Sequence, residues 1–241
     1  MKKLLPVIAL SLLTLLSAFV EPEKPDMAKI REEVTSPSSP YYYPKLMERY
    51  ERNETIMTLA DYRRLYLGYV FQEDFNPYRM SPYAGIVENL YYKSKHSTSE
   101  RDSIIEKAQL SLKDDPFNLQ QIDYLIYAYR EKGKNNLANI WQYRLNHLLE
   151  AIVSTGTGID REHAWYVISP QHEYFLLNRM GRIAKSFEFE SPWFDHITVE
   201  PKGPKDSINY YFNSHHFLEQ YRLKFPDDND ELSGPRDSDA D

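Results

Sequence analysis

The spacing of apolar residues changes near residue 155, and this change restricts the fold more than any other feature of the sequence. From about residue 45 to 155, apolar side chains recur at intervals of three and four, the spacing of one helical face. After about residue 160 the interval shortens to two, which is typical of β-strands. Helices followed by mostly adjacent strands predict an α+β fold rather than a wound parallel sheet.

Four helices are predicted in the first part of the chain. Thr58 with Asp61, and Ser97 with Glu100, form capping boxes that begin two of these helices. Gly133 closes the third helix, because glycine tolerates the backbone conformation found just after a helix. Short turns between the helices predict antiparallel helical hairpins.

Strands and two short helices are predicted in the second part. AWYVIS at 164–169 is apolar on both faces, which predicts a buried central strand. In FEFE at 187–190 the glutamates predict the solvent face of a strand, although two carboxylates on one face could also act as a glycosidase acid and base. A glycine-proline turn lies between two later segments, a strand that carries Ile197 and the segment SINYYFN at 207–213. The two segments are expected to form an antiparallel hairpin. The short helices are expected near residues 170–180 and 215–225.

The first twenty residues have the layout of a secretory signal peptide. Lys2 and Lys3 precede a short apolar run, which then gives way to charge and proline. The run is shorter than the roughly 20 apolar residues that span a membrane. We therefore expect an exported protein, periplasmic or secreted, with no membrane span after signal removal.

The remaining segments follow from composition. Residues 21–44 are rich in proline, serine and charge, so we expect a flexible, exposed leader with one short helix at about 27–34. The acidic tail at 226–241 is expected to be disordered. The helical part at 45–155 and the α+β part at 156–225 are expected to form one compact unit.

Composition excludes several chemistries and partners. The chain has no cysteine, which excludes disulfides and thiolate chemistry. Its formal net charge of −7 disfavours nucleic acid as a partner. Tyrosine is abundant, with 20 residues, and its large rings with polar edges suit both a core and a binding surface.

Two resemblances accompany these patterns. DDPFN at 114–118, with Tyr129, Gly133 and Ala138, resembles a tetratricopeptide unit, and the similarity covers about residues 98–153. Fewer than three such units cannot build a continuous groove, so the resemblance implies helical hairpins and not a long peptide-binding superhelix.

The second resemblance covers most of the chain after about residue 50. The segments that carry it are TGTG at 155–158, HAWYVIS at 163–169, HEYFLLNRMG at 172–181 and SINYYFN at 207–213. In this order they resemble an exported bacterial family classed as a domain of unknown function, number 4919 of such domains. The resemblance implies an exported α+β protein and supplies no activity and no functional residues.

The glycine turn and the serine-proline pair have structural explanations. TGTG lies between a helix and a strand and is followed by no lysine, whereas a phosphate loop needs the opposite order and a lysine. Gly156 lies where a helix ends, which favours a residue that tolerates positive φ. Ser169 and Pro170 suit the N-cap and first position of a helix. Glu173 then falls in the first turn, where an exposed carboxylate interacts favourably with the helix dipole.

The spacing of the histidines gives little support to a reaction centre. His172-Glu173 lacks the second histidine of a zinc-protease helix, since Leu176 occupies that position. His163 could meet His172 only if the strand and the helix fold back on each other. A third ligand from His196 or the pair at 215–216 has no pattern to support it. We expect no metal site and no cofactor.

Two functions remain open at the level of sequence. The lack of reaction signatures favours a non-catalytic exported module that binds a protein, peptide or glycan, with another envelope protein or a glycan as partner. The candidate ligand-binding residues are Tyr91, Tyr92, Trp165 and Trp193. The alternative is an envelope or secreted hydrolase with its site at the helix–sheet junction. Its candidate catalytic residues are His163, His172 and Glu173.

Overall fold

The computed structural model describes residues 21–204 and 206–226. The predicted signal peptide and the predicted acidic tail beyond Pro226 lie outside these residues. Within them, nine α-helices and one small four-stranded sheet confirm the α+β fold. No helix in the described ranges has the length and apolarity that crossing a bilayer requires. Buried apolar residues from the helices and from the sheet form a single hydrophobic cluster.

The helical part contains seven of the helices and one short 3-10 turn. They are α1 (Met27–Thr35), α2 (Tyr43–Glu51), α3 (Leu59–Gly68), the 3-10 turn Tyr69–Phe71, α4 (Ala84–Tyr91), α5 (Thr98–Asp114), α6 (Leu119–Glu131) and α7 (Asn135–Val153). Both predicted capping boxes are present, at Thr58 and at Ser97. Gly133 has a φ of +68° after the end of α6, as its position predicted. Helices α5, α6 and α7 pack against one another in sequence order.

The expectation of an exposed leader before residue 45 is wrong for helix α1. Met27, Ile30 and Val34 share one face of this helix and are buried in the core. The helix approaches α3 closely, since a Cβ added to Gly68 would lie 2.7 Å from a methyl carbon of Val34. The short helix expected at about 27–34 is therefore present, but it packs in the core and is not exposed.

The sheet is mixed, with strand order β1-β4-β3-β2. The second part consists of β1 (Trp165–Tyr166), α8 (Pro170–Arg179), β2 (Ala184–Glu190), β3 (Phe194–Val199), β4 (Asn209–Asn213) and α9 (His215–Lys224). Strands β3 and β4 form the predicted antiparallel hairpin, with Ile197 opposite Tyr210. Both short helices are present, and the Ser169 side chain caps α8 as predicted.

The segment at 164–169 is not a central strand. Only two of its residues form β1, which lies at the edge of the sheet and pairs in parallel with β4. Side chains satisfy neighbouring backbone groups, because Tyr166 N–H donates to the Thr155 hydroxyl and Ile168 N–H donates to the Tyr66 hydroxyl. The segment is apolar on both faces because it is buried between helices and sheet, and not because strands flank it on both sides.

The glycine turn has the structural role that the sequence predicts, but by a different mechanism at Gly156. The residues with positive φ include Gly158, at +69°, and do not include Gly156. Space is what restricts Gly156, since a Cβ there would lie 2.2 Å from the His163 carbonyl oxygen. Gly158 packs against the Trp165 ring. The turn therefore fixes the chain as it enters β1.

Candidate functional site

A concave site lies where helices α8 and α9 meet the edge strand β2. Its volume is about 320 Å³, which falls in the range of small-ligand sites. We call it the aromatic cleft. Its lining consists of Tyr78, Pro170, Glu173, Tyr174, Phe187, Phe189, Asp195, Phe217, Leu218 and Arg222.

Phe187 and Phe189 form the open wall of the aromatic cleft. They lie opposite Ile197 and Asp195, so their rings share the face of the sheet that the helices cover. The alternation in FEFE therefore predicted the correct face. However, β2 is the edge strand, and Phe187 remains 52% exposed and Phe189 46% exposed. The prediction that the glutamates alone face solvent is wrong.

Two carboxyl groups meet at the inner end of the aromatic cleft. Glu173 comes from the first turn of α8, and Asp195 comes from β3. They are almost completely buried, with 0% of Glu173 and 5% of Asp195 exposed, and the two carboxyl groups lie close to each other. No N–H or hydroxyl donor among the described residues reaches either oxygen of Glu173. We call these two groups the carboxyl pair.

Burial sets the charge state of the carboxyl pair. It raises the pKa of Glu173 well above its usual value, and the nearby Asp195 raises it further. Burial also raises the pKa of Asp195, but hydrogen bonds from Glu173 and from the Ser214 hydroxyl lower it. Both carboxyl groups therefore favour their protonated forms more than exposed ones do, and Glu173 is the one whose proton can be shared with Asp195. The exposed, dipole-stabilised carboxylate predicted for Glu173 is wrong.

Tyrosines and one arginine border the carboxyl pair. Tyr78 and Tyr174 are partly exposed, and burial together with the nearby carboxyl groups raises the pKa of Tyr78 to about 12. The Tyr78 ring meets that of Tyr221 edge-on at 4.8 Å. The Arg222 guanidinium lies 5.5 Å from the centre of the Trp193 ring. Among the described residues, no carboxylate forms an ion pair with Arg222.

The structure does not bring the three candidate catalytic residues together. His163 is exposed, and its ring Nδ1 lies 2.8 Å from the Asp160 carboxylate in a local turn. His172 is buried on another side of α8, where its Nδ1 lies 2.7 Å from the Tyr66 hydroxyl. Burial lowers the pKa of His172 to about 4. Of the three candidates, only Glu173 lines the aromatic cleft.

The four candidate ligand-binding aromatic residues lie in three different places. Tyr92 is 70% exposed and meets the Tyr91 ring edge-on at 5.3 Å, in the helical part and outside the aromatic cleft. Trp165 is buried and stacks on Tyr210, so it presents no surface to a ligand. Trp193 is half-buried beside the aromatic cleft, under the arginine that lines it.

A second polar cluster lies on the opposite face of the sheet. Potential ligand atoms of Glu188, Glu190 and His196 lie within 4.8 Å of one another. The His196 ring is 3.0 Å from Glu190 and 2.9 Å from the Asn209 side chain, and Arg161 also pairs with Glu190. These residues could ligate a divalent cation, but the contacts already balance the charge of Glu190. His163 and His172 do not belong to the cluster.

Sequence reasoning missed most of the residues that line the aromatic cleft. One signal was present, because alternation in FDHITV places Asp195 on the same face as Ile197 and Val199. A carboxylate on an apolar strand face indicates a buried acid that requires a partner. Nothing local identifies Tyr78 or Arg222, since only the tertiary fold brings them to the site.

The fold and the site together define the class of protein: it is an α+β protein in which an aromatic cleft leads to a buried carboxyl pair. The comparisons with known proteins identify its family. The family model described as "Domain of unknown function (DUF4919)" matches residues 28–223, and the chain belongs to this family. No curated protein and no solved structure matches the chain.

Proposed function

We propose that the protein is a non-catalytic binding module that holds a peptide segment in the aromatic cleft. One observation carries the proposal, namely that partly exposed aromatic rings surround a single concave site. Phe187 and Phe189 are about half exposed, at 52% and 46%, and Tyr78 and Tyr174 face the same space. Exposed aromatic rings around a cavity are typical of ligand sites, because covering them removes a large apolar area from water.

The composition of the cleft favours a peptide over a glycan. The described residues of the lining include no asparagine, glutamine, serine, threonine or histidine side chain. The many hydroxyls of a glycan would therefore find few neutral hydrogen-bond partners on burial, which is costly. An apolar side chain of a peptide does not have this requirement, and a cationic side chain can meet it at the carboxyl groups of Glu173 and Asp195.

The edge strand supports the same choice. Within the described ranges, the backbone of β2 pairs with β3 alone, so its outer edge is free. An extended peptide can add to such an edge through backbone hydrogen bonds and place alternate side chains in an adjacent pocket. Phe187 and Phe189 lie on this strand and line the aromatic cleft.

Export is part of the proposal. Its support is the sequence layout of residues 1–20, with a basic start and an apolar run that is short for a membrane span. Fractionation of the native cell, with N-terminal sequencing of the protein, tests it. A mature chain in the envelope or medium that begins near residue 21 is the expected result, and an intact chain in the cytoplasm contradicts it.

A displayed library of random peptides tests the binding proposal. Peptides selected on the purified protein are labelled, and their affinity is measured by fluorescence polarisation. Replacing both Phe187 and Phe189 with alanine should weaken binding at least about tenfold, because central aromatic contacts dominate interfaces. Tyr92→Ala is the control, since it removes a ring outside the cleft that is even more exposed, at 70%. Equal affinity of the double variant and the wild type would contradict the proposal.

The carboxyl pair favours hydrolysis as a second candidate function. Glu173 and Asp195 share a proton at the inner end of a cleft, an arrangement that can supply a general acid and a general base. Incubation of the selected peptides with the protein, followed by mass spectrometry, separates the two functions. The binding proposal predicts intact peptides. Cleavage that is lost in both Glu173→Gln and Asp195→Asn would favour the hydrolase.

A further inference from the structure

We infer that the carboxyl pair selects the ligand, and that it receives a cationic amine from the bound peptide. The lysine side chain is the amine that fits a narrow cleft above a buried anion. This inference rests on the proposed function, which it makes more specific. The observations that carry it are the burial of Glu173, its lack of a donor, and the aromatic rings that line the same cleft.

The carboxyl pair lacks a positive counter-charge within the described part of the protein. The groups that shift the two pKa values are the pair itself and the Ser214 hydroxyl, and they include no lysine, arginine or histidine. The salt bridges between described residues likewise leave Glu173 and Asp195 unpaired with any cation. A buried anion without a cation is costly, so an ammonium group from a ligand would be strongly favoured there.

The rings of the aromatic cleft suit the same ligand. Phe189 lies directly across from Asp195 in the β2–β3 pairing, and Phe187 lies two residues along the same face. Tyr78 and Tyr174 line the cleft from the helical side. Aromatic faces attract ammonium groups through their quadrupoles and pack against methylene groups. A lysine side chain uses both properties, with its stem along the rings and its ammonium group at Asp195.

Among the described residues, Arg222 is the one cationic group that lines the aromatic cleft. It lies over Trp193, and its charge acts on Tyr78, whose pKa it lowers slightly. It does not contribute to the pKa of Glu173 or of Asp195. Its position therefore suits a carbonyl or carboxylate of the ligand, while the ammonium group reaches deeper into the cleft.

Three small probes test the inference on the purified full chain by two-dimensional NMR titration. The first is N-acetyl-lysine methylamide, which has a side-chain ammonium group. The second is N-acetyl-norleucine methylamide, which has a similar stem without charge. The third is norleucine methylamide with a free α-amine, which distinguishes a peptide N-terminus from a lysine side chain. We expect the lysine probe to bind at least about tenfold more tightly than either norleucine probe, as for a charge-assisted contact.

Two substitutions localise the effect. Asp195→Asn removes the negative charge of the carboxyl pair and should abolish the preference for lysine. Glu173→Gln keeps a donor to Asp195 and keeps that charge, so it should retain the preference. Thermal denaturation verifies that both variants fold. The preference of the wild-type protein for the lysine probe is measured independently, so it tests the inference even if a variant does not fold.

The outcomes separate the inference from the proposed function. Equal binding of the lysine and acetylated norleucine probes in the cleft would leave peptide binding standing and overturn the role of the carboxyl pair. Tighter binding of the free α-amine would overturn the assignment to a lysine side chain. Absence of any shift at cleft residues with all three probes would overturn the inference together with the proposed function.

Discussion

Acidification should destabilise the protein through His172, and replacing this residue with glutamine should remove the effect. The ring is buried between α3 and α8, with its Nδ1 2.7 Å from the Tyr66 hydroxyl. Burial lowers its pKa from 6.5 to about 4, although a hydrogen bond to the Phe117 carbonyl opposes the change. The folded protein therefore binds fewer protons at this position than the unfolded chain does. The contribution of the neutral His172 ring to the free energy of unfolding is complete above pH 6.5 and is lost as the pH falls towards 4.

The size of the effect follows from the two pKa values. A difference of about 2.5 pKa units corresponds to roughly 3 kcal/mol at or below pH 4. Between pH 7 and pH 5 the loss is about 2 kcal/mol on the same basis. The partly buried Asp115 acts in the opposite direction, because desolvation raises its pKa to about 6. Its contribution is present in both proteins and cancels when the variant is compared with the wild type.

Urea denaturation at pH 7 and pH 5 measures the difference. His172→Gln offers an oxygen to Tyr66 and a donor to Phe117, so the variant should fold and should lose about 2 kcal/mol less than the wild type between the two pH values. His163→Gln is the matched control, since it replaces an exposed histidine and keeps His172. The same pH dependence in His172→Gln and in the wild type would refute the account of this residue.

The remaining stability predictions concern the carboxyl pair and the glycine turn. Because the pKa of Glu173 is raised in the folded protein, protonation of this group stabilises the fold. The contribution is complete below pH 4.5, the usual pKa of glutamate, and is lost as the pH rises. Glu173→Gln should therefore lose less stability than the wild type between pH 5 and pH 9 in urea denaturation, and an equal or greater loss would contradict the shared proton. Gly156→Ala should cost on the order of 2 kcal/mol, since its Cβ would meet backbone. Gly85→Ala, within helix α4 and with free space around it, should instead stabilise by about 0.5–1 kcal/mol. Thermal and urea denaturation of both glycine variants measure these changes, and a neutral Gly156→Ala would refute the steric argument.

Local signals predicted the parts of the fold that depend on neighbouring residues. The capping boxes at Thr58 and Ser97 begin helices as expected, because both partners of each box lie within one turn. Ser169 before Pro170 begins α8 for the same reason. The β3–β4 hairpin follows from alternation around a short turn. The resemblance to a tetratricopeptide unit remains a resemblance.

Long-range packing determined what the sequence did not reveal. Helix α1 is buried because Gly68, more than thirty residues later, allows it close approach. Strand β1 lies at the edge of the sheet and pairs with β4. Local sequence could not reveal this position, because β4 comes more than forty residues later. The aromatic cleft joins residues from Tyr78 to Arg222, and no local pattern connects them. Glu173 was a candidate from the sequence and alternation marked Asp195 as a buried acid, but the proximity of the two became evident only in the folded structure.

Intermolecular nuclear Overhauser effects between a selected peptide and the protein locate the bound peptide. Binding in the aromatic cleft predicts contacts from the peptide to the ring protons of Phe187 and Phe189, with further contacts to Tyr174. The exposed ring of Tyr92 and the partly buried ring of Tyr91 form the competing aromatic surface in the helical part. Contacts to those two tyrosines, with none to the phenylalanines of β2, would contradict binding in the aromatic cleft.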